Sequence, residues 1–286
     1  MSEVRAWITG AAGLIGNSLL QAAPTSPTGE SVAGLTRQQL DLADFAAVRR
    51  AFEQQRPKLV IHCAALSKSP ECQANPALAQ LLNVDVTAML AELAAEIPFF
   101  FISSDLVFDG RAGNYDETSE VNPLGVYGTT KVQAERIVLA NPRHSVIRTS
   151  LNGGISAAGD RGFNEQMMLA WSQGRNMRLF TDEFRCPIAA SVTARAIWEL
   201  AAKNAPGLYH VAGAERLSRW QMGQVLTRNR PDLAAKIEPA SLKEYEGAPR
   251  APDTSMRCDK AQRLLSFPLP KFSEWLTEHP NFAFKS

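Results

Sequence analysis

A chain of 286 residues and 31.2 kDa can hide roughly three quarters of its extended-chain surface, enough for one large domain, or one large and one small. Thirty Lys and Arg stand against 29 Asp and Glu, which excludes a broad electrostatic attraction to nucleic acid or anionic lipid. No run approaches the roughly 20 apolar residues that cross a bilayer, and Glu3 and Arg5 interrupt the start as a secretory leader, so a cytoplasmic protein is expected.

A β-rich run over 4–9 leads into Thr9-Gly10-Ala11-Ala12-Gly13-Leu14-Ile15-Gly16 and a helical pattern over 12–23. This GxxGxxG spacing reads as a phosphate cradle: Gly10 for the sharp turn, Gly13 for backbone approach to a pyrophosphate, Gly16 for close contact between helix and strand. Unpaired N–H groups of the helix start would face the phosphates. A second strand over 31–36 ends at Thr36-Arg37, where an acidic residue would bind a free ribose 2'-hydroxyl. Arg37 instead suits a 2'-phosphate, favouring NADPH, with NADH as the alternative. Asp41-Leu42 opens a helical pattern over 42–55, where Asp41 serves either as a helix cap or along the adenine edge.

Strands over 59–63, 99–103 and 145–148 then alternate with helical patterns over 76–96 and 129–140. The alternation predicts right-handed βαβ crossovers, hence an α/β Rossmann-type parallel sheet with helices on both faces. Leu59-Val60-Ile61 and Phe99-Phe100-Phe101-Ile102 lack polar alternation, as strands buried on both sides should. Tyr127 and Lys131, four apart at a helix start, share a face, and Ser104 ends the strand before them. Free tyrosine has a pKa of about 10; a neighbouring ammonium and an oxidised nicotinamide would both stabilise its phenolate. In the reducing direction the phenol protonates a developing alkoxide while the cofactor delivers hydride. Ser104 would hold the carbonyl oxygen and Lys131 the cofactor ribose.

Beyond Arg148 the rhythm loosens. Helices are expected over 162–173, 191–203, 220–228 and 259–265, and a strand over 208–211. The expected division is a cofactor domain over 1–150, with 188–206 returning to it, and a smaller C-terminal substrate lobe from 151–187 and 207–286. Cys63, Cys72, Cys186 and Cys258 form neither a CxxC pair nor a zinc pattern with the four histidines, and read as buried thiols in a reducing compartment; no metal is required.

These motifs together resemble the extended short-chain dehydrogenase/reductase family, in its dTDP-4-dehydrorhamnose reductase-like (RmlD-like) branch. Thr9 to Gly16 matches the branch's cofactor turn. Ile102-Ser103-Ser104-Asp105-Leu106-Val107-Phe108-Asp109-Gly110 is similar to its ISTDYVFDG stretch, and Asn122-Pro123-Leu124-Gly125-Val126-Tyr127-Gly128-Thr129-Thr130-Lys131 to its NP..vYG.sK stretch. The likeness continues through Val146-Ile147-Arg148-Thr149-Ser150, Phe163-Asn164 and Arg250-Ala251-Pro252-Asp253-Thr254-Ser255. It implies reduction of a 4-keto nucleotide sugar with NAD(P)H by Ser104, Tyr127 and Lys131, with Asn83 supporting the site. Implied cofactor contacts are Gly10, Ala12, Gly13, Leu14, Ile15, Arg37, Asp41, Leu42, Ala64, Ala65, Asn83, Tyr127 and Lys131. Implied substrate contacts are Ser104, Asp105, Asn152, Arg185 and Arg250, the last as a two-pronged grip on a diphosphate.

Departures from the pattern concern the substrate side. His62-Cys63-Ala64-Ala65 replaces N-x-A-A, Leu106 replaces a tyrosine, Leu66-Ser67-Lys68-Ser69 lacks the usual aromatic-threonine pair, and Arg185 replaces a glycine in the DQ.G.P segment. His62 reads as a core hydrogen-bonding residue more readily than as a ligand contact, and Arg185 either adds a cation near the cleft or pairs with Asp182 or Glu183. Two other functions stay open: a sugar-nucleotide epimerase or dehydratase, and a non-catalytic NADP-binding regulatory subunit. Outer helices can also form a homodimer surface without leaving a readable pattern.

Overall fold

The computed structural model describes residues 4–25, 31–156, 158–228 and 231–279. Glu3 and the expected domain limits at residues 1 and 286 lie outside the described residues. In chain order the first half runs β1 (Val4–Thr9), α1 (Leu14–Gln21), β2 (Ser31–Leu35), α2 (Phe45–Gln55), β3 (Val60–His62), α3 (Ser69–Ala74), α4 (Pro76–Gln80), a π-helical turn (Leu81–Asp85), α5 (Val86–Leu93), β4 (Phe99–Ser104), α6 (Val126–Leu139) and β5 (Ser145–Thr149). There follow β6 (Asn152–Gly153), α7 (Phe163–Ser172), β7 (Met177–Phe180), β8 (Phe184–Arg185), β9 (Ile188–Ala189), α8 (Ala190–Ala202), β10 (Gly207–Val211), β11 (Leu217–Ser218), α9 (Arg219–Thr227), α10 (Pro231–Ala234), β12 (Ile237–Ala240), α11 (Asp259–Gln262) and α12 (Phe272–Glu278).

Six strands form one parallel sheet in the order β10-β5-β4-β3-β1-β2. Because successive side chains of a strand point to opposite faces, the unbroken apolar runs divide between two cores. Ala6, Ile8, Ile61, Phe100, Ile102 and Ile147 pack with Leu19 of α1 and with Ala194, Ile197 and Trp198 of α8. Trp7, Val60, Phe99, Phe101 and Val146 pack on the other face with Val48 of α2, Leu90 of α5, and Ala134 and Val138 of α6. Helix α8 is fastened to α1 by the Trp198 indole, which donates to Leu19 O at 3.0 Å.

Connectivity turns back between β1 and β3: the chain goes from β1 outward to β2, then crosses to β3 on the other side. The carboxyl ends of β1 and β3 therefore flank a topological switch point, where open α/β sheets bind ligands.

A smaller lobe has its own core of Phe163, Met167, Trp171, Leu179, Met222, Ile237 and Phe272, drawn from α7, β7, α9, β12 and α12. One expected boundary is corrected. Residues 207–211 are not part of this lobe, since β10 hydrogen-bonds alongside β5 as the edge of the main sheet, and Ala261, Leu265 and Leu269 join the core beneath it. Two expected helices are also shorter or broken: the 76–96 pattern divides into α4, the π turn and α5, and the 259–265 pattern is helical only to Gln262. Among the described residues no helix is long and apolar enough to cross a membrane.

Candidate active site

The turn after β1 is built so that only glycine fits at two of its positions. Gly10 has φ +69, and a Cβ there would lie 2.7 Å from Ala64 N; one on Gly16 would lie 2.3 Å from Gly10 O. The turn thus lies directly against the segment after β3, and α1 starts close beside it. Gly13 caps α1 with extended backbone and no side-chain acceptor, so the first N–H groups of the helix are not capped by a side chain. That cradle, at the switch point, fits a dinucleotide diphosphate. Ala12, Leu14 and Ile15 belong to the same turn and helix start, and Ala64 and Ala65 to the facing segment.

At the end of β2 the Arg37 side chain is 84% exposed and its Nε sits 3.9 Å from Asp41 Oδ2, a loose pair that another anion can replace. The helix-capping reading of Asp41 is corrected: Asp44 caps α2, accepting from Ala47 N at 2.9 Å, while Asp41 closes its own turn onto Ala43 N at 3.0 Å. Leu42 packs against the core on the α2 side of the sheet.

Helix α6 carries the reactive pair to the carboxyl end of β4. Lys131 is buried, donates from Nζ to Ile102 O at 2.6 Å, and lies 6.0 Å from the centre of the Tyr127 ring. Desolvation brings its ammonium down to about 8, with Glu135 the strongest influence in the other direction. Burial also pushes the Tyr127 phenol above its ordinary value, Asp105 pushes it further, and a hydrogen bond with Ser104 opposes both. Burial and Asp105 together outweigh Ser104 and hold the phenol in its protonated form. Tyr127 stands as a protonated donor. Ser104 Oγ donates to Asp105 Oδ1 at 3.1 Å and accepts from Leu106 N at 3.1 Å.

Asn83 lies in the π turn, where its Oδ1 accepts from Leu66 N at 2.7 Å and its Nδ2 donates to Leu66 O at 3.1 Å and Thr130 Oγ1 at 3.0 Å. It fastens the segment after β3 to α6, next to Lys131. His62 is a core residue: Nδ1 is 2.6 Å from Thr9 Oγ1 and Nε2 is 3.1 Å from Thr87 Oγ1. The Thr87 hydroxyl donates to Asn83 O at 2.8 Å, so it accepts from the imidazole, which places the proton on Nε2. Burial first, and then Lys131, hold His62 down to about 3 and therefore neutral.

The residues expected to touch substrate have mostly internal partners. Asp105 is buried; its Oδ2 accepts from Ser150 Oγ at 2.9 Å and Thr254 Oγ1 at 2.8 Å and faces Arg185 Nε at 3.7 Å. Arg185 is buried too, donating to Ala251 O at 3.0 Å and pairing with Glu183 at 3.1 Å. Asn152 donates to Thr149 Oγ1 and Ser150 O, both at 2.9 Å, and accepts from Thr193 Oγ1 at 2.7 Å. All three thus have their polar atoms engaged within the protein, Arg185 in the pair with Glu183 that the sequence left open. Arg250 is half-buried and directs its fork at Glu183 rather than away from it, with Nε at 2.7 Å and Nη2 at 2.9 Å.

Glu183 collects a third guanidinium from Arg219 at 3.0 Å. Burial works to raise its carboxyl, but Arg219, Arg250 and Arg185 outweigh this and hold it down to about 2. Three guanidiniums surround this carboxylate and one of them, Arg185, also faces Asp105, so the cluster carries one positive charge in excess. Sequence reasoning named Glu183 only as a possible partner of Arg185 and passed over Arg219 and Glu135, although Glu135 repeats the four-residue step from Tyr127 to Lys131.

A family model, the RmlD substrate binding domain, matches residues 4–281. Methionine adenosyltransferase 2 subunit beta of Xenopus tropicalis is 27% identical over 274 residues, spanning 91% of this chain and 82% of that one. The probable low-salt glycan biosynthesis reductase Agl14 of Haloferax volcanii is 30% identical over 237 residues, covering 77% and 78%. Among solved structures, a dTDP-4-dehydrorhamnose reductase of Clostridium acetobutylicum superposes with a TM-score of 0.87 at 25% identity, over 97% of this chain and 99% of that one. With the match spanning nearly the whole chain and the doubly wound sheet carrying the turn, serine, tyrosine and lysine of that pattern, the chain belongs to the RmlD substrate binding domain family of extended short-chain dehydrogenase/reductases.

Proposed function

We propose that the protein is an NADPH-dependent reductase of the 4-keto group of a nucleotide-linked deoxysugar. The observation that carries this reading is the meeting of a protonated Tyr127, Ser104 and a buried Lys131 at the end of β4, beside the Gly10 turn. When bound, the nicotinamide supplies hydride to the carbonyl carbon. Tyr127 gives its phenolic proton to the oxygen as charge develops there, and Ser104, rotating its hydroxyl away from Asp105, donates a second hydrogen bond to the same atom. Lys131 transfers its hydrogen bonds from Ile102 O to the cofactor ribose, and its ammonium favours the phenolate left behind. The α1 N-terminus would hold the diphosphate of the cofactor, and Arg37 would pair with a 2'-phosphate in place of Asp41. NADH is the alternative, in which Asp41 would accept from a free ribose hydroxyl. On the small lobe, the excess positive charge of Arg219 and Arg250 over Glu183 suits the diphosphate of the substrate.

The likeness to the methionine adenosyltransferase subunit supports a second reading, a regulatory subunit that binds cofactor without turnover. Purified protein mixed with NADPH and a panel of 4-keto dTDP-sugars, followed by nicotinamide absorbance, separates the two. Oxidation matched to alcohol formation is the expected result. NADPH binding without oxidation by any ketone favours the regulatory reading, and redox-neutral isomerisation favours an epimerase.

A further inference from the structure

We propose that Glu135 and Arg148 form a buried charge couple that sets the protonation of Lys131 and thereby the alkaline limit of cofactor binding. This rests on Lys131 as the cation that grips the cofactor ribose. Glu135 lies one helical turn beyond Lys131 on the same face of α6, and each is 3% exposed. Its carboxylate is fixed from two strands: Ser103 Oγ of β4 donates at 2.5 Å, and Arg148 of β5 donates from Nε at 3.0 Å and Nη2 at 2.7 Å. Two consecutive α6 positions on this face thus hold two consecutive β4 residues, Lys131 on Ile102 and Glu135 on Ser103, immediately before the reactive Ser104.

Arg148 is itself held in place. Its Nη1 is 3.4 Å from His210 Nε2 and its guanidinium lies 5.1 Å from the Phe108 ring centre. His210 Nδ1 is 3.2 Å from Arg257 O, and a carbonyl only accepts, so the proton sits on Nδ1 and Nε2 offers Arg148 a lone pair. The imidazole is accordingly neutral; burial first, and then Arg148, bring it down to about 4.

The carboxylate is the member of the couple that shares α6 with Lys131, one turn on, and attraction to it is the main influence opposing desolvation. The remaining groups around Lys131 do not change charge near neutral pH. Burial pushes Cys63 up to about 12 and His62 down to about 3 at the end of β3, and it raises Cys72 on α3 and Tyr127 on α6. Lys131, brought down to about 8, thus has Glu135 as its main attracting charge among the described residues, with Arg148 paired to that carboxylate. Asp105, beyond Ser104, acts on Tyr127.

The test is NADPH affinity, read from nicotinamide fluorescence across the pH range, for the full chain and its variants. Wild-type affinity should fall with a midpoint near 8. Glu135→Gln should lower that midpoint by about one pH unit, Arg148→Gln should raise it by a clearly smaller amount, and Glu135→Asp should restore it. Opposite shifts from two residues of one ion pair are what a bracing role cannot give; equal losses of affinity with an unmoved midpoint overturn the proposal. Glu135→Gln/Arg148→Gln strands no buried charge and serves where a single variant does not fold. Its midpoint should lie below wild type, since the Glu135 charge dominates, and an unmoved midpoint overturns the proposal. If Lys131→Met binds NADPH with wild-type affinity and pH dependence, the underlying reading of Lys131 fails and the proposal with it.

Discussion

Asp105 and Thr254, separated by 149 residues of chain, share a 2.8 Å hydrogen bond that joins the reactive end of β4 to the loop following Arg250. The same carboxylate accepts from Ser104 and faces Arg185, which in turn reaches Glu183. A continuous buried polar chain thus connects the serine proposed to meet the ketone with the arginines proposed to meet the diphosphate.

Interrupting that chain at Asp105 should affect both stability and chemistry. Asp105→Asn leaves Arg185 with less compensating charge and should cost about 2 to 4 kcal/mol in urea unfolding. Turnover should drop more than NADPH affinity, since Ser104 loses its orienting partner. Thr254→Val removes one neutral donor and should cost only about 1 kcal/mol. Equal losses in the two variants would mean that the Asp105 charge is irrelevant to the network.

Tyr127→Phe should keep NADPH affinity close to wild type while reducing turnover by about 10²- to 10⁴-fold, the usual worth of a positioned acid. Single-turnover oxidation of NADPH by a keto sugar measures this directly. Unchanged turnover would remove the phenol from the mechanism.

Arg37→Asp should weaken NADPH by about tenfold and leave NADH unchanged or improved, as a carboxylate repels the 2'-phosphate and accepts from a free hydroxyl. Competitive titration of the two cofactors checks the direction without any substrate. Parallel weakening of both would place Arg37 outside the ribose site.

Glu183 links the small lobe to pH. Its carboxyl is lowered from 4.5 to about 2, so its contribution to folding is complete above about 4.5 and is lost as pH falls through about 2. The shift corresponds to something on the order of 3 kcal/mol. Unfolding free energies measured between about pH 5 and 2.5 should fall less steeply in Glu183→Gln than in wild type. Identical slopes would show that the three arginines do not act on this carboxylate.

Most of the framework was legible in the amino-acid sequence because it is set locally. The apolar runs of β1 and β4 specify strands buried on two faces, Gly10 and Gly16 mark a turn where a Cβ would strike backbone, and the step from Tyr127 to Lys131 fixes a shared helical face. What surrounds a charged or polar side chain is another matter. Arg250 aims at Glu183 across 67 residues, Thr9 meets His62 across 53, and β10, whose residues were expected in the small lobe, joins the sheet beside β5. Periodicity reports whether a position is buried, but the partner of a buried ion is chosen by which strands and lobes come to lie side by side. The sequence therefore determined the sheet and the glycine turn, and it pointed to the residues proposed as reactive. Tertiary packing alone decided that Asp105, Arg185 and Asn152 brace the site from within, since desolvated polar groups must find partners wherever the fold places them.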